Sequence, residues 1–174
     1  MNEELDFTGT KLKEIRLKKS NCARDSRGTF KRVWDIQEDV IGINQASIST
    51  NRMKGTLRGI HSLNISLKET KIVECIGGSL FDIVVDLRVG STTYLKWMGL
   101  YLNEEIDYAV VIPPGFGHGF LTLEADTTVL YQMSCKYDPK FEIGIRFDDP
   151  KVNIEWPSKP SIVSAKDLSW DLLE

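Results

Sequence analysis

Hydrophobic and polar residues alternate with a period of two over the middle of the chain, between positions 71 and 134. Short runs rich in Val, Ile, Leu, Phe and Tyr are separated by Gly, Pro, Asn and Asp, which is typical of an all-β sandwich or barrel. The pattern predicts six strands, at 71–76, 79–87, 94–102, 108–114, 118–123 and 127–134. We therefore expect an antiparallel double-sheet fold, and a small barrel of this kind holds one ligand in its mouth.

Two turn motifs refine this expectation. The dipeptide Gly77-Gly78 predicts a tight turn, with the strand at 79–87 as the hairpin partner of the strand at 71–76. The Pro-Pro-Gly run at 113–115 cannot continue a hydrogen-bonded ladder, because a proline has no N–H donor. The chain is therefore expected to turn just before His118 and to place this histidine at a strand mouth.

Length and composition fit one globular domain over residues 1–174. The chain has a mass of 19.7 kDa, with 41% hydrophobic and 27% charged residues, so it can bury a core without disulfides or a metal. Helical patterns are scarce and modest, at 33–40 and 165–173, and the last third of the chain has the least regular pattern.

Charge and cysteine content narrow the function classes. The net charge of −3 argues against a nucleic-acid partner, and the basic stretch at 11–24 contains Glu14 but no aromatic residue, which favours a solvated strand edge or loop. The apolar runs are too short for a membrane span and the first residues are acidic, so no membrane or export segment is expected. Cys22, Cys75 and Cys135 show no CxxC spacing, which fits a reducing cytoplasm.

The chain has two histidines, and both have unusual neighbours. His61 ends a run, 55–61, in which glycines and Arg58 interrupt an apolar strand, and an arginine beside a histidine often binds an anion. A core histidine bonded to backbone is the ordinary alternative for His61, and we favour the functional interpretation. For His118, capping a carbonyl in the Pro-Pro-Gly bend and a functional role are equally plausible. No HxH, HxxxH or 2-His-1-carboxylate spacing is present, which favours metal-free chemistry, although ligands distant in sequence could still converge.

Four further residues have ordinary interpretations when each is considered alone. Tyr131 and Tyr137 suit a strand and the loop that follows it, since tyrosine has an apolar ring and a polar tip. Lys71 opens a strand, where an exposed lysine is common, and Asp167 could be a surface carboxylate beside a short helix. Spacing alone does not assign any of them a function.

An ordered series of motifs across residues 25 to 167 carries a family resemblance. It comprises Asp25-x-Arg27-Gly28-x-Phe30, the run at 55–61, Lys71-Ile72-Val73, the runs at 81–88 and 112–120, Leu130-Tyr131, the run at 144–150 and Ser164-x-Lys166-Asp167. With these motifs the chain resembles the dTDP-4-dehydrorhamnose 3,5-epimerase family, also called the RmlC-like cupins. The resemblance implies a cupin jelly roll with short peripheral helices and an isomerase of deoxysugar biosynthesis. Such an enzyme inverts C3, C5 or both of a nucleotide-linked 4-keto-6-deoxy sugar through an enolate, without a cofactor or a metal.

The resemblance also implies four catalytic residues. His61 would be the general base that removes the proton beside the ketone, and Asp167 would hold its imidazole. Tyr131 would be the acid on the opposite face of the sugar, because inversion requires the proton to leave one face and another to arrive on the other. Lys71 would stand near the keto oxygen, where negative charge develops in the enolate.

Eight residues resemble substrate-binding positions of the family. Tyr137 resembles the aromatic residue that stacks on the nucleotide base. Arg27 and Phe30 lie in a segment that crosses from the partner subunit into the pocket in the family, so the resemblance implies a homodimer with an exchanged N-terminal segment. The remaining binding positions are Gln45, Arg58, His118, Glu142 and Lys166.

The chain departs from the family pattern at four places. Ser62-Leu63 stands where the family usually has Tyr-Gln, Arg32 replaces an acidic residue, Ser47 replaces an asparagine, and the segment leading to Asp167 is slightly short. The substitutions fall on substrate contacts more than on the acid and the base, so the reaction class is better supported than the substrate. Two alternatives stay open at this point: a sugar-nucleotide-binding cupin that has lost catalysis, and a metal-dependent cupin that uses both histidines.

Overall fold

The computed structural model describes residues 7–35 and 41–174, and strands dominate these residues. Besides the strands there are two single-turn 3-10 helices, Ile65–Leu67 and Pro139–Phe141, and one short helix, α1 (Ala165–Leu168). None of the helices in this part of the chain has the length and apolar character needed to span a membrane. The strands are β1 (Phe7–Gly9), β2 (Arg16–Lys19), β3 (Asn21–Asp25), β4 (Gly28–Arg32), β5 (Gln45–Asn51), β6 (Thr56–Leu63), β7 (Lys71–Gly77), β8 (Ser79–Asp86), β9 (Trp97–Asn103), β10 (Tyr108–Ile112), β11 (Phe116–Thr122), β12 (Thr127–Met133), β13 (Glu142–Gly144) and β14 (Ile162–Val163).

Two large sheets contain most of these strands. The order β1-β9-β8-β11-β6-β13 forms one sheet, with β14 also pairing with β6, and the order β2-β10-β7-β12-β5 forms the other. Except for β14, which runs parallel to β6, the strands in both sheets pair antiparallel. From β7 to β12 the chain passes repeatedly between the two sheets, which is the connectivity of a double-sheet jelly roll. The predicted antiparallel double-sheet fold is confirmed.

The predicted hairpin between the strands at 71–76 and 79–87 is wrong. All six predicted strands are present as β7 to β12, but β7 and β8 lie in different sheets and do not pair with each other. Gly78 has a φ of +68°, and a Cβ at this position would lie 3.1 Å from the Cα of Thr127. The glycine pair therefore forms a sharp corner between the sheets, because a residue with a side chain would be strained and crowded there.

The peripheral segments agree with the sequence in part. Strand β2 lies at the edge of its sheet beside β10, as expected for the basic stretch. Of the helix predicted at 33–40, residues 36–40 lie outside the described residues, and residues 33–35 have no regular structure. The helix predicted at 165–173 ends at Leu168, because Trp170 packs against Gly144 and the N–H of Leu173 donates to Asp149 Oδ2 at 2.7 Å.

The main core lies between the two sheets, and a second core lies outside one of them. Inward side chains of both sheets form the first, including Val73, Val84 and Val129. The outer face of the β8 sheet is covered by the irregular carboxyl-terminal segment, which contributes Ile145 and Val152. At the end of the sandwich that carries His61, this core gives way to polar side chains, and there the two sheets enclose a cavity.

A buried carboxylate fixes the end of β8. Asp86 accepts hydrogen bonds from the Arg88 backbone N–H at 3.0 Å, from Arg88 Nε and Nη2 at 2.8 and 2.7 Å, and from the hydroxyls of Ser91 and Thr93 at 2.6 and 2.7 Å. The Arg88 guanidinium also lies over the ring of Phe116, 4.3 Å from its centroid. Burial acts to raise the pKa of Asp86, but these hydrogen bonds outweigh it, so the pKa lies below its ordinary value.

Replacing Asp86 by alanine should therefore lower the free energy of unfolding by about 2–4 kcal/mol, since it removes the buried acceptor that a guanidinium and two hydroxyls share. Because the folded pKa is lowered, the contribution is present above about pH 4 and is lost as pH falls further. Urea unfolding at pH 7 and at pH 3 would measure it. Asp148→Ala is the matched control, since Asp148 forms a similar pair with Arg146 at the surface and should change the stability much less. Equal losses for the two variants would contradict the assignment.

Candidate active site

One cavity of about 340 Å³ brings together ten of the twelve residues that the sequence singled out. Side chains of both sheets line it, together with the loop after β12 and helix α1. The ten residues are Gln45, Arg58, His61, Lys71, His118, Tyr131, Tyr137, Glu142, Lys166 and Asp167.

A bulge in β6 allows Arg58 and His61 to face this same cavity. Residues three apart on a regular strand point to opposite faces of the sheet. Opposite β11, however, His61 pairs with His118 and Arg58 pairs with Phe120, so three steps on β6 match two on β11. Gly59 sits in the bulge with a φ of +121°, and a Cβ there would lie 2.5 Å from the Cα of Gly119. Gly59 therefore permits the bulge that turns Arg58 and His61 to the same side of the strand.

His61 is held by Asp167 from the carboxyl-terminal segment. Its Nε2 lies 2.5 Å from Asp167 Oδ1, and the N–H of Asp167 donates to Ser164 Oγ, which caps helix α1. Burial acts to raise the pKa of Asp167, but the hydrogen bond and the electrostatic attraction of His61 outweigh it. The pKa therefore lies below its ordinary value, and the carboxylate stays ionised at neutral pH. An ionised carboxylate on Nε2 places the ring proton there and leaves Nδ1 free to accept another.

Glu142 lies on the Nδ1 side of the same imidazole, with Oε1 4.0 Å from His61 Nδ1. Its Oε2 accepts hydrogen bonds from Lys166 Nζ at 2.5 Å and from the Tyr137 hydroxyl at 2.7 Å. Burial acts to raise the pKa of Glu142, but the bonds from Lys166 and Tyr137 lower it below its ordinary value. The bond to Glu142 also raises the pKa of Tyr137, because it favours the protonated phenol. The imidazole of His61 is thus flanked by two carboxylates that belong to different elements.

Lys71 places an ammonium group inside the cavity, next to His61. It opens β7, directly opposite Met133 of β12, and its Nζ donates to the carbonyl oxygen of His61 at 3.1 Å. Glu69 Oε2 lies 3.3 Å from the same Nζ. The lysine therefore reaches from one sheet to the other, and it carries a positive charge to the side of the cavity where His61 lies.

Tyr131 faces the cavity from the opposite sheet. It lies on β12, packs against the inner core, and meets the ring of His118 edge-on with centroids 5.8 Å apart. Burial raises the pKa of Tyr131 well above its ordinary range, the charge of Asp82 raises it further, and Arg58 opposes both. The phenol is therefore protonated at neutral pH and is able to donate.

His118 is not at a strand mouth as the sequence predicted. Strand β11 begins two residues earlier, at Phe116, and His118 lies buried between the sheets with Nε2 2.7 Å from Asp82 Oδ1. The other oxygen of Asp82 is buried and has no partner among the described residues. The Pro-Pro-Gly run does turn the chain, but the strand resumes directly after it.

Arg27 and Phe30 are the two site residues that the structure does not bring to the cavity. They lie on the hairpin of β3 and β4, which forms a separate two-stranded sheet. Arg27 Nη2 donates to Asp25 Oδ2 at 2.6 Å, and Phe30 is 72% exposed. Within this chain they contact solvent rather than the other site residues.

The sequence analysis did not list as site residues several that line the cavity or bond to its wall. Glu69 pairs with Lys71, and Asn51 Oδ1 accepts from Arg58 Nε at 2.8 Å. An acidic residue inside the apolar run 79–87, Asp82, was the available sequence signal for the partner of His118. The other missed residues of the cavity wall are Ser47, Ser62, Leu63, Met133 and Ser164.

The charges of the cavity are unevenly paired. Lys71 is paired with Glu69 and Lys166 with Glu142, whereas no carboxylate of the described residues lies within salt-bridge distance of Arg58. An uncompensated guanidinium at a cavity suits an anionic ligand. Among the same residues, no three His, Cys, Asp or Glu side chains group as metal ligands.

The amino-acid sequence of this chain is similar to those of known proteins. A family model for dTDP-4-dehydrorhamnose 3,5-epimerase matches residues 9–174. The chain belongs to this family. The dTDP-4-dehydrorhamnose 3,5-epimerase of Sinorhizobium fredii is 35% identical over 173 residues, which is 96% of this chain and 89% of the relative. The dTDP-4-dehydrorhamnose 3-epimerase of Streptomyces niveus is 37% identical over 149 residues, covering 82% of this chain and 72% of the relative.

A solved structure of the family has the same fold. The RmlC epimerase of Legionella pneumophila, in complex with dTDP-4-keto-L-rhamnose, superposes with a TM-score of 0.86 and 30% identity, covering 97% of this chain and 93% of the other. Family membership and this likeness confirm the predictions of a cupin jelly roll and of an epimerase-type isomerase.

Proposed function

We propose that this protein inverts C3, C5 or both of a dTDP-linked 4-keto-6-deoxy sugar by removing and returning protons beside the ketone. The observation that carries the proposal is the placement of an imidazole and a phenol on opposing sheets. His61 projects from β6 and Tyr131 from β12, with the cavity between them. A sugar ring held between the sheets would present one face to each group.

The chemistry requires this arrangement. A carbon acid beside a ketone is much weaker than imidazolium, whose ordinary pKa is about 6.5, so the base succeeds only if the forming oxyanion is stabilised. Lys71 supplies a fixed positive charge on the His61 side of the cavity. In the first step a C–H bond breaks, the proton goes to His61, and the electron pair moves to the keto oxygen. In the second step Tyr131 donates its proton to the opposite face of the same carbon.

The nucleotide part of the substrate is assigned to the charged and aromatic rim. Arg58 has no carboxylate partner within the described part of the chain and Lys166 is half exposed, so both can bind a diphosphate. Tyr137 is exposed beside them and can stack on the base. Because the relatives include a 3-epimerase as well as 3,5-epimerases, the proposal covers inversion of one carbon or both.

We further propose one domain over residues 1–174 that acts as a cytoplasmic homodimer. Arg27 and Phe30 sit on an exposed hairpin away from their own cavity, which supports exchange of this segment into the site of a partner. The three cysteines are free thiols, which fits a reducing compartment. A monomer in sedimentation velocity would contradict the exchange.

Proton NMR in deuterium oxide tests the proposed function. The purified protein should replace the hydrogen at C3, at C5 or at both in a dTDP-linked 4-keto-6-deoxy sugar, and it should yield the inverted sugar. A panel that varies the nucleotide and the 6-substituent would define the substrate. Binding of the sugar nucleotide without any exchange would instead support a cupin that has lost catalysis.

A further inference from the structure

The proposed reaction leaves the enzyme in the wrong protonation state after each inversion. His61 then carries the proton taken from the sugar, and Tyr131 has lost the proton that it gave. Before the next deprotonation, one proton must leave His61 and one must reach Tyr131. If two carbons of one bound sugar are inverted, this exchange takes place while the ligand occupies the cavity.

The route through Asp167 is closed. Asp167 is only 3% exposed, and it is enclosed by His61 and by the Ser164 cap. A proton passed to it would have no direct access to water. Its bond to Nε2 also engages the nitrogen that does not take the proton from the substrate.

The Nδ1 side of His61 offers a second carboxylate, Glu142, whose own side chain is 8% exposed but whose hydrogen-bond partners reach solvent. Glu142 Oε1 lies 4.0 Å from Nδ1, a gap that a small shift or one bridging water closes. Glu142 Oε2 is bonded to Lys166 and Tyr137, whose side chains are 50% and 42% exposed. Among the described residues, Glu142 and Asp167 are the carboxylates within 4.0 Å of the His61 ring nitrogens.

We propose that Glu142 is the proton carrier that resets His61 between deprotonations, a role that rests on the proposed function. The N–H bond at Nδ1 breaks and an O–H bond forms at Glu142, after which the proton passes to bulk water beside Tyr137 and Lys166. A proton from solvent restores the Tyr131 phenol, so that one proton leaves the site and one enters for each inversion.

Substrate binding would raise the pKa of Glu142 and so make it a better proton acceptor. The bonds from Lys166 and Tyr137 lower the pKa of Glu142, whereas burial acts to raise it. If the diphosphate draws Lys166 away from the carboxylate, one of the lowering contacts is lost and Glu142 becomes more basic. The carrier would therefore accept protons best when the cavity is occupied.

Glu142→Gln tests the role, because glutamine keeps an oxygen that can accept from Lys166 and Tyr137 but cannot carry the proton. With enzyme in excess and at a concentration that saturates binding, the first inversion measured by rapid quench should fall several-fold less than kcat does. With substrate in excess, kcat should fall about tenfold or more, after a burst of one inverted carbon per active site. Formate, which can enter the cavity and accept the proton, should restore most of kcat. Glu124→Gln, an exposed substitution outside the cavity, is the matched control and should show no burst.

Several results would overturn the role of Glu142. A parallel fall of the first inversion and of kcat, a rise of KM alone, or a burst that formate does not relieve would each do so. If Glu142→Gln does not fold, the wild-type protein still provides a test: its kcat should not depend on buffer concentration at constant pH, and a kcat that rises with buffer would refute an internal carrier. An inactive wild-type protein would refute the proposed function itself, whereas an active one without the burst in Glu142→Gln refutes only the carrier.

Discussion

His61→Gln is expected to reduce hydrogen exchange and inversion at every reactive carbon by about 10²- to 10⁴-fold, the usual contribution of a general base. The glutamine side chain can still place a nitrogen near Asp167, so the buried carboxylate keeps a hydrogen-bond partner. It cannot take a proton from carbon at neutral pH. Loss of the C3 and C5 proton signals of the substrate in deuterium oxide, followed by NMR, measures the effect.

Binding provides the control for this variant. The dissociation constant for dTDP, measured by calorimetry, should stay within a few fold of the wild-type value, because His61 is assigned to the sugar carbons rather than to the nucleotide. Exchange that continued within tenfold of the wild-type rate would show that another group removes the proton.

Tyr131→Phe is expected to separate exchange from inversion. The base on the other sheet is intact, so deuterium should still enter the substrate at a measurable rate, while net inversion should fall about 10²- to 10³-fold. The ring keeps its packing against the inner core and its edge contact with His118, so the fold should be retained. NMR distinguishes the two processes, because retained and inverted products have different spectra.

Tyr101→Phe is the matched control for this variant. Tyr101 lies on β9, is exposed and is not among the residues that line the cavity, so its phenol should affect neither process. Equal losses of exchange and inversion in Tyr131→Phe would contradict the assignment of the two groups to opposite faces of the sugar.

Local sequence predicted the strands better than their partners. The period-two pattern located β7 to β12 within three residues, because each strand buries one face and turns bound it. The Gly77-Gly78 corner shows what local sequence does not predict, namely which strands pair. Two glycines indicate a turn, but they do not determine whether the next strand pairs with the previous one or crosses to the facing sheet, which depends on contacts such as that between Gly78 and Thr127.

For the site as well, motifs identified individual residues, but local sequence did not predict which of them meet in space. The motif series identified His61, Tyr131 and Asp167 by resemblance, and the structure places them on one cavity although Asp167 lies 106 residues from His61. The sequence did not indicate that Asp82 would meet His118, or that Glu142 would approach the free side of His61. Both contacts arise from the register of strands that are distant in the chain, and single-sequence patterns do not encode that register.

Most of the substitutions that depart from the family pattern lie in the wall of the cavity. Ser47, Ser62 and Leu63 all line the cavity, and Ser62 is otherwise buried, with its hydroxyl donating to the Leu63 carbonyl. Arg32 Nη1 lies 3.6 Å from Asp35 Oδ2, and Arg32 is not among the residues that line the cavity. The substitutions therefore alter the wall that would contact the sugar and leave His61 and its two carboxylates unchanged.

A crystal structure of the protein with a bound dTDP-linked 4-keto-6-deoxy sugar tests the central claim most directly. We expect His61 Nδ1 and the Tyr131 hydroxyl to approach one carbon beside the ketone from opposite faces, each at about 3–3.5 Å. Lys71 Nζ should lie within hydrogen-bond distance of the keto oxygen. A sugar with both groups on the same face, or with its ketone turned away from Lys71, would contradict the proposed inversion.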